Sequence, residues 1–421
     1  MFSVLASPEG IVSVEPATSV SSSEANRTRF SSNGSQSGKH KDRYWLHALL
    51  FLLTLVSTIY MGGELVGRYA VYMNEGPWLF VVDGFKFGFS LLLFLTVHEF
   101  GHYFAARYHG VGTSLPYYIP LPFVGIGTLG AVIRIREPVP TMRKLFDIGS
   151  AGPLAGFVVA VLILVYALAT LPPPTYIFDT GPGHESIQNY VEQYGEYPSE
   201  MLERGVEAVI LVVGNTLLYS FLASFFSNVP PMYEMYHYPV LFAGWLGLFF
   251  TALNLLPIGQ LDGGHILYAL FGRKWHRRLA RGFFLVLLIS GSLGFFIDAV
   301  PTLTAVHPWF ADGSWFLLAT ILFFYLNKVF DGNLKIIAPS IVGVVLLVAV
   351  TQTVGPSLDE FAYSGWLVWC LLLVFLIKVD HPPVLYEQPL TGGQRALGIL
   401  SIIVFVLCFS FKPLYVLNGP M

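Results

Sequence analysis

The sequence predicts an all-α, polytopic membrane protein with about nine transmembrane helices, a count set by the length that crosses the hydrocarbon layer. Three observations carry this. Of 421 residues, 54% are hydrophobic and only 12% charged, against roughly 25% charged in a soluble domain, and the mean hydropathy is +0.64. Apolar runs near the membrane-crossing length of about 20 residues recur along the chain. Basic residues gather at alternate ends of those runs, as the positive-inside rule requires. The formal net charge of -3 points to no nucleic-acid partner. Cys370 and Cys408 fall inside apolar runs and read as small buried hydrophobes.

Residues 1–42 are rich in Ser, Asn and Gly and lack an apolar core, so they read as a disordered cytoplasmic tail without a secretory signal. The Asn26-Arg27-Thr28 and Asn33-Gly34-Ser35 triplets within it read as chance matches to a glycosylation pattern. Spans are expected near 44–65, 85–107, 148–171, 239–260, 281–298, 315–328, 336–354, 364–378 and 396–412. They divide the chain into a first helix and outer loop (43–84), a central membrane core (85–272) and additional spans (273–421).

Charge orients the spans. Lys39, Lys41 and Arg43 hold the N-terminus in the cytoplasm, and Arg107, Arg134, Arg136, Arg143 and Lys144 mark a second cytoplasmic segment. The connection at 172–207 is acidic and falls outside. Arg273, Lys274, Arg277, Arg278 and Arg281 can return to the inside only if the apolar stretch 210–226 does not cross, so it is expected to be re-entrant or surface-lying. At 114–135, Pro116, Pro120 and Pro122 followed by Gly125, Gly127 and Gly130 exclude a helix and favour extended chain, which membrane depth tolerates only under protein or beside water.

The chemistry lies in VHEFGHY at 97–103, near the end of a span. Residues four apart share a helix face, so His98 and His102 can present two imidazoles to one zinc ion, with Glu99 beside them as general base. Ionisable groups inside a span mark function by default. A catalytic zinc takes a third protein ligand and keeps one place open. His47, at the start of the first span, suits an interfacial role, while His276 in a basic loop and His307 in an outer turn read as solvated. Asp262 stands in NLLPIGQLDGG, where Pro257, Gly259, Gly263 and Gly264 break the helix and Asn254 adds an amide. His265 competes with Asp262 for the third place, its other role being a contact behind the ligands.

HEFGH at 98–102 and NLLPIGQLDGG at 254–264, in this order and separation, resemble the site-2 protease family of intramembrane metalloproteases, the M50 peptidase type. The resemblance covers 85–272. It implies that His98, His102 and Asp262 bind one Zn2+, that Glu99 activates water, and that Asn254 lies near the substrate or oxyanion. GTLGA at 127–131 is similar to the family's membrane-associated extended segment after the zinc helix, with Gly127 and Gly130 as expected substrate-side residues, and SAGPLAGF at 150–157 to the start of its third core helix. The expected substrates are single-span membrane proteins, cut within or near their transmembrane segment in regulated intramembrane proteolysis. The active site would face the cytoplasmic side of a bacterial inner or organellar membrane. A PDZ insertion does not fit the 172–207 connection, and further spans stand where some members carry a CBS module. The rival class is a transporter or channel using His98, Glu99 and Asp262 as a proton or metal pathway. Against it, no second half repeats either motif.

Overall fold

The computed structural model describes residues 43–181, 183–198, 209–354, 358–382 and 384–418. The tail at 1–42 with its two Asn triplets, and the acidic residues at 199–208, lie outside them. The chain opens with α1 (Tyr44–Val66), α2 (Tyr69–Glu75) and α3 (Trp78–Tyr108). An antiparallel hairpin, β1 (Tyr117–Pro120) and β2 (Thr128–Val132), leads to α4 (Met142–Ala169). Then come α5 (Glu185–Tyr194), β3 (Val209–Val213), α6 (Leu217–Ala223), α7 (Pro239–Asn254) and α8 (Asp262–Gly294). The remainder is α9 (Val300–Val306), α10 (Phe310–Val329), α11 (Leu334–Val354), α12 (Gly365–Leu372), α13 (Gly392–Cys408) and β4 (Leu414–Asn418).

Among the described residues six helices are long and apolar enough to cross a membrane, and three shorter apolar ones accompany them, Pro239–Asn254, Gly365–Ile377 and Gly392–Cys408. Leu52, Val56, Leu346 and Ile399 stay exposed on α1, α11 and α13, as side chains facing hydrocarbon do. The protein is a polytopic membrane protein.

The stretch at 210–226 splits between β3 and α6, and α6 has only 7 residues, about 10 Å of helix. Neither piece spans. β3 pairs antiparallel with β4, Val209 opposite Asn418 through Val213 opposite Leu414. The all-α expectation therefore needs amending: two small two-stranded sheets accompany the helices. The proline-rich segment forms the other, with Tyr117 opposite Val132 and a register shift at Ile119/Pro120. His47 fastens it to α1, its Nδ1–H donating to the Pro116 carbonyl at 3.0 Å.

The basic stretch after 272 is also not a loop. Helix α8 runs through it, kinked at Gly272, whose φ of 72° and ψ of 171° are non-helical. His276, expected in solvent, is 1% exposed. It belongs to a stripe of His276, Ala280, Phe284 and Leu287, all buried on one helical face. The flank of this stripe carries Arg277 and Arg281, which pair with Asp331 at 2.9 and 3.1 Å. His307 is exposed, and Cys370 and Cys408 are buried.

The core lies where α3, α4, α7 and the first part of α8 meet. Phe87 on α3 stacks on Phe242 of α7 with ring centroids 5.9 Å apart, and Trp245 donates from Nε1 to the Gly214 carbonyl beyond β3 at 3.0 Å. The C-terminal spans dock on this core. Arg143 at the start of α4 donates to the Pro389 carbonyl (2.8 Å), Gln394 to Asp147 (2.8 Å) and Tyr268 to Glu387 (2.6 Å).

Candidate metal centre

Two segments bring the ligands together. The first is α3, where one helical turn sets His98 below His102. α4 packs against that turn through glycines: a Cβ at Gly101 would stand 2.7 Å from the Ala151 carbonyl oxygen, and one at Gly152 only 2.1 Å from His102 Nε2. With no side chain there, His102 Nδ1–H reaches the Ile148 carbonyl at 2.7 Å. That bond fixes the tautomer and leaves the Nε2 lone pair open to a metal.

The second segment is the break between α7 and α8. Asn254 ends α7 and Asp262 begins α8. The turn between them closes with Leu255 N–H on the Thr251 carbonyl (2.9 Å) and Leu261 N–H on the Ile258 carbonyl (3.3 Å). Gly263 lets the first turn of α8 lie flush on the Leu255 and Leu256 carbonyls. The aspartate thus points back at α3 from a rigid N-terminus.

The three donor atoms form a compact triangle. His98 Nε2 and His102 Nε2 are 3.2 Å apart, and Asp262 Oδ2 lies 3.3 Å from the second and 3.7 Å from the first. Bond lengths of about 2.0–2.1 Å around a tetrahedral zinc put its ligand atoms about 3.3 Å apart. The donor set and its spacing therefore fit Zn2+, and all three residues are buried.

Glu99, beside His98, is 2% exposed. Its Oε2 and Asn254 Oδ1 are buried and lack a hydrogen-bond partner among the described residues, a costly arrangement unless a ligand engages them. Asn254 Nδ2 stands 3.4 Å from His98 Nε2, inside the site. The Ile133 backbone, just past β2, faces the Glu99 carboxylate, which puts the hairpin beside it.

Other candidates go elsewhere. His265 Nδ1 pairs with His381 Nε2 at 2.7 Å rather than joining the triangle, and His381 stacks on Tyr268 with centroids 4.4 Å apart. Burial holds His381 low, at about 4. Gly127 and Gly130 lie in the hairpin with φ of 82° and 101°. Sequence reasoning missed the part of Gly152 and Gly156 against the histidine rings. Their four-residue spacing is a small-xxx-small pattern that signals close helix approach in membranes. His381 carried no local signal, being more than a hundred residues from the histidine it meets.

The chain is 29% identical over 247 residues to a rice (Oryza sativa subsp. japonica) protein named probable zinc metalloprotease EGY1, chloroplastic, covering 55% of this chain and 38% of the relative. The Arabidopsis thaliana protein of the same name is also 29% identical over 247 residues, covering 55% and 40%. Probable zinc metalloprotease EGY2, chloroplastic, of Oryza sativa subsp. indica is 32% identical over 187 residues, 44% of this chain and 29% of that one. The chain thus spans well under half the length of these curated relatives. No solved structure matches it. The model of peptidase family M50 matches residues 86–296, from the helix that carries both imidazoles to the far end of the one that Asp262 opens. The chain belongs to peptidase family M50.

Proposed function

We propose that the protein is an intramembrane zinc metalloprotease of the site-2 type, cutting single-span membrane proteins within or near their transmembrane segment. The observation that carries the reading is the buried triangle of His98, His102 and Asp262 with Glu99 next to it, built from membrane-depth helices. The names of the relatives, zinc metalloproteases, support the same chemistry. The unit 85–272 is the catalytic core, and the spans at 273–421 brace it.

Zinc, when bound, supplies the Lewis acidity that peptide hydrolysis needs at neutral pH. The chain's residues do the rest. His102 is held in one tautomer by Ile148, and Asp262 brings negative charge against both imidazoles. Glu99 takes a proton from water on its carboxylate and returns it to the nitrogen of the departing amine. Asn254 offers its amide to the carbonyl oxygen as negative charge grows there.

A helical substrate hides its carbonyls in its own hydrogen bonds and must unwind before attack. The β1–β2 hairpin, beside Glu99, receives the unwound strand by β-augmentation. Gly127→Pro and Gly130→Pro test this. A Cβ at Gly127 stands 2.6 Å from the Ser57 carbonyl oxygen on α1, and proline at 130 removes the N–H that donates to Thr128 Oγ1 at 2.8 Å. Both variants should cut cleavage about 10²-fold, the scale of a misplaced substrate, at unchanged zinc content. Equal loss of zinc would remove the hairpin from substrate handling.

Charge supports one orientation. Arg43 before α1, Arg107 at the end of α3 and Arg143 and Lys144 at the start of α4 support a cytoplasmic side for the zinc end of the bundle. The reading as a whole is tested with purified protein and candidate single-span proteins in vesicles. Cleavage stopped by a zinc chelator and restored by Zn2+ supports it. Proton or metal flux without cleavage would replace it with a transporter.

A further inference from the structure

A second cluster of metal-ligating side chains lies at the other end of α7. His184 immediately precedes α5, and Glu234 and His237 sit in the turn that leads into α7. All three are buried, Glu234 completely. One ligand atom from each lies within 4.8 Å of the others. His184 Nδ1 is 3.0 Å from Glu234 Oε2, and His237 Nε2 is 3.5 Å from the same oxygen. These lengths bracket the edge of about 3.3 Å around a tetrahedral zinc.

The rings are also prepared. His237 Nδ1–H donates to the Val66 carbonyl at 2.9 Å, which directs Nε2 at the cluster, the device that Ile148 uses on His102. The two imidazole planes stand at 80° with centroids 4.7 Å apart, so they approach one point from different directions. Two imidazoles and one carboxylate suit Zn2+ better than a hard cation, which would take oxygen donors.

We propose that His184, Glu234 and His237 hold a second divalent transition-metal ion, Zn2+ by donor set, that fastens the outer end of the bundle. It joins three segments far apart in sequence: the end of α1 through Val66, the approach to α5, and the entry to α7. The length of α7, about 25 Å between His237 and Asn254, separates this ion from the catalytic centre. It is a structural site, holding the helix that carries Asn254 from its opposite end, and it stands whether or not the protease reading does.

The test uses the full chain purified in detergent with His98→Ala and Asp262→Ala, which empty the catalytic centre, and Co2+ as the probe. The expected result is one Co2+ per chain with the visible absorption of a four-coordinate ion. Adding His184→Ala or Glu234→Gln should weaken that binding more than tenfold. Wild-type protein should carry two zinc ions per chain. If the added substitutions prevent folding, the starting variant decides alone: a monodisperse, helical protein that takes up no Co2+ overturns the proposal and leaves a hydrogen-bonded His–Glu–His cluster. Co2+ retained in full after His184→Ala overturns it as well.

Discussion

Replacing Glu99 by Gln will lower cleavage by about 10²- to 10⁴-fold, the contribution of a positioned general acid–base group, and will leave the zinc in place. The amide has the size and shape of the carboxylate, and Glu99 is not one of the three donors that form the triangle. What it loses is the ability to take and return a proton. Burial sharpens the effect, because Glu99 is only 2% exposed and bulk water has little access to substitute for it. Metal analysis of the purified variant, beside release of the cut fragment, checks both halves. Cleavage that survived would assign the base elsewhere, and lost metal would show that the substitution had disturbed the ligands.

Gly152→Ala will empty the catalytic centre as completely as Asp262→Ala does, although glycine has no chemistry of its own. A Cβ at this position would overlap the His102 ring, nearest Nε2. The ring cannot turn aside while Nδ1 holds the Ile148 carbonyl, so it must abandon either that bond or the 3.2 and 3.3 Å approaches to His98 and Asp262. The expected result is one zinc ion fewer per chain and loss of cleavage to the background level. Gly282→Ala serves as the control. It lies in α8 with nothing within 4 Å of the added carbon, so zinc content should not change and the helix should gain up to about 1 kcal/mol. Full zinc in Gly152→Ala would mean that α3 and α4 can separate.

The readable part of this protein was the part written within one element. The spacing of His98 and His102 is one turn of helix, and the run around them supplies the helix. Pro257 and the glycines near Asp262 mark a break, and the break is there, between Asn254 and Asp262. The prolines at 116–122 excluded a helix where the hairpin stands. Hydropathy located the long spans because crossing hydrocarbon leaves the backbone few alternatives. It misjudged α8, since a basic stretch scores as a loop even when its buried stripe of His276, Ala280, Phe284 and Leu287 continues the helix.

By itself, then, the sequence determined the membrane class, the order of the main spans and the two motifs, because hydrophobic length and helical period are properties of neighbouring residues. Only the tertiary structure decided that His265 faces His381 instead of the triangle, that Gly152 makes room for His102, that β3 pairs with β4, and that His184 meets Glu234 and His237. Each of these joins residues separated by some fifty positions or more. Such meetings depend on how helices pack, and no local period records which carbonyl or imidazole the packing will bring within 3 Å.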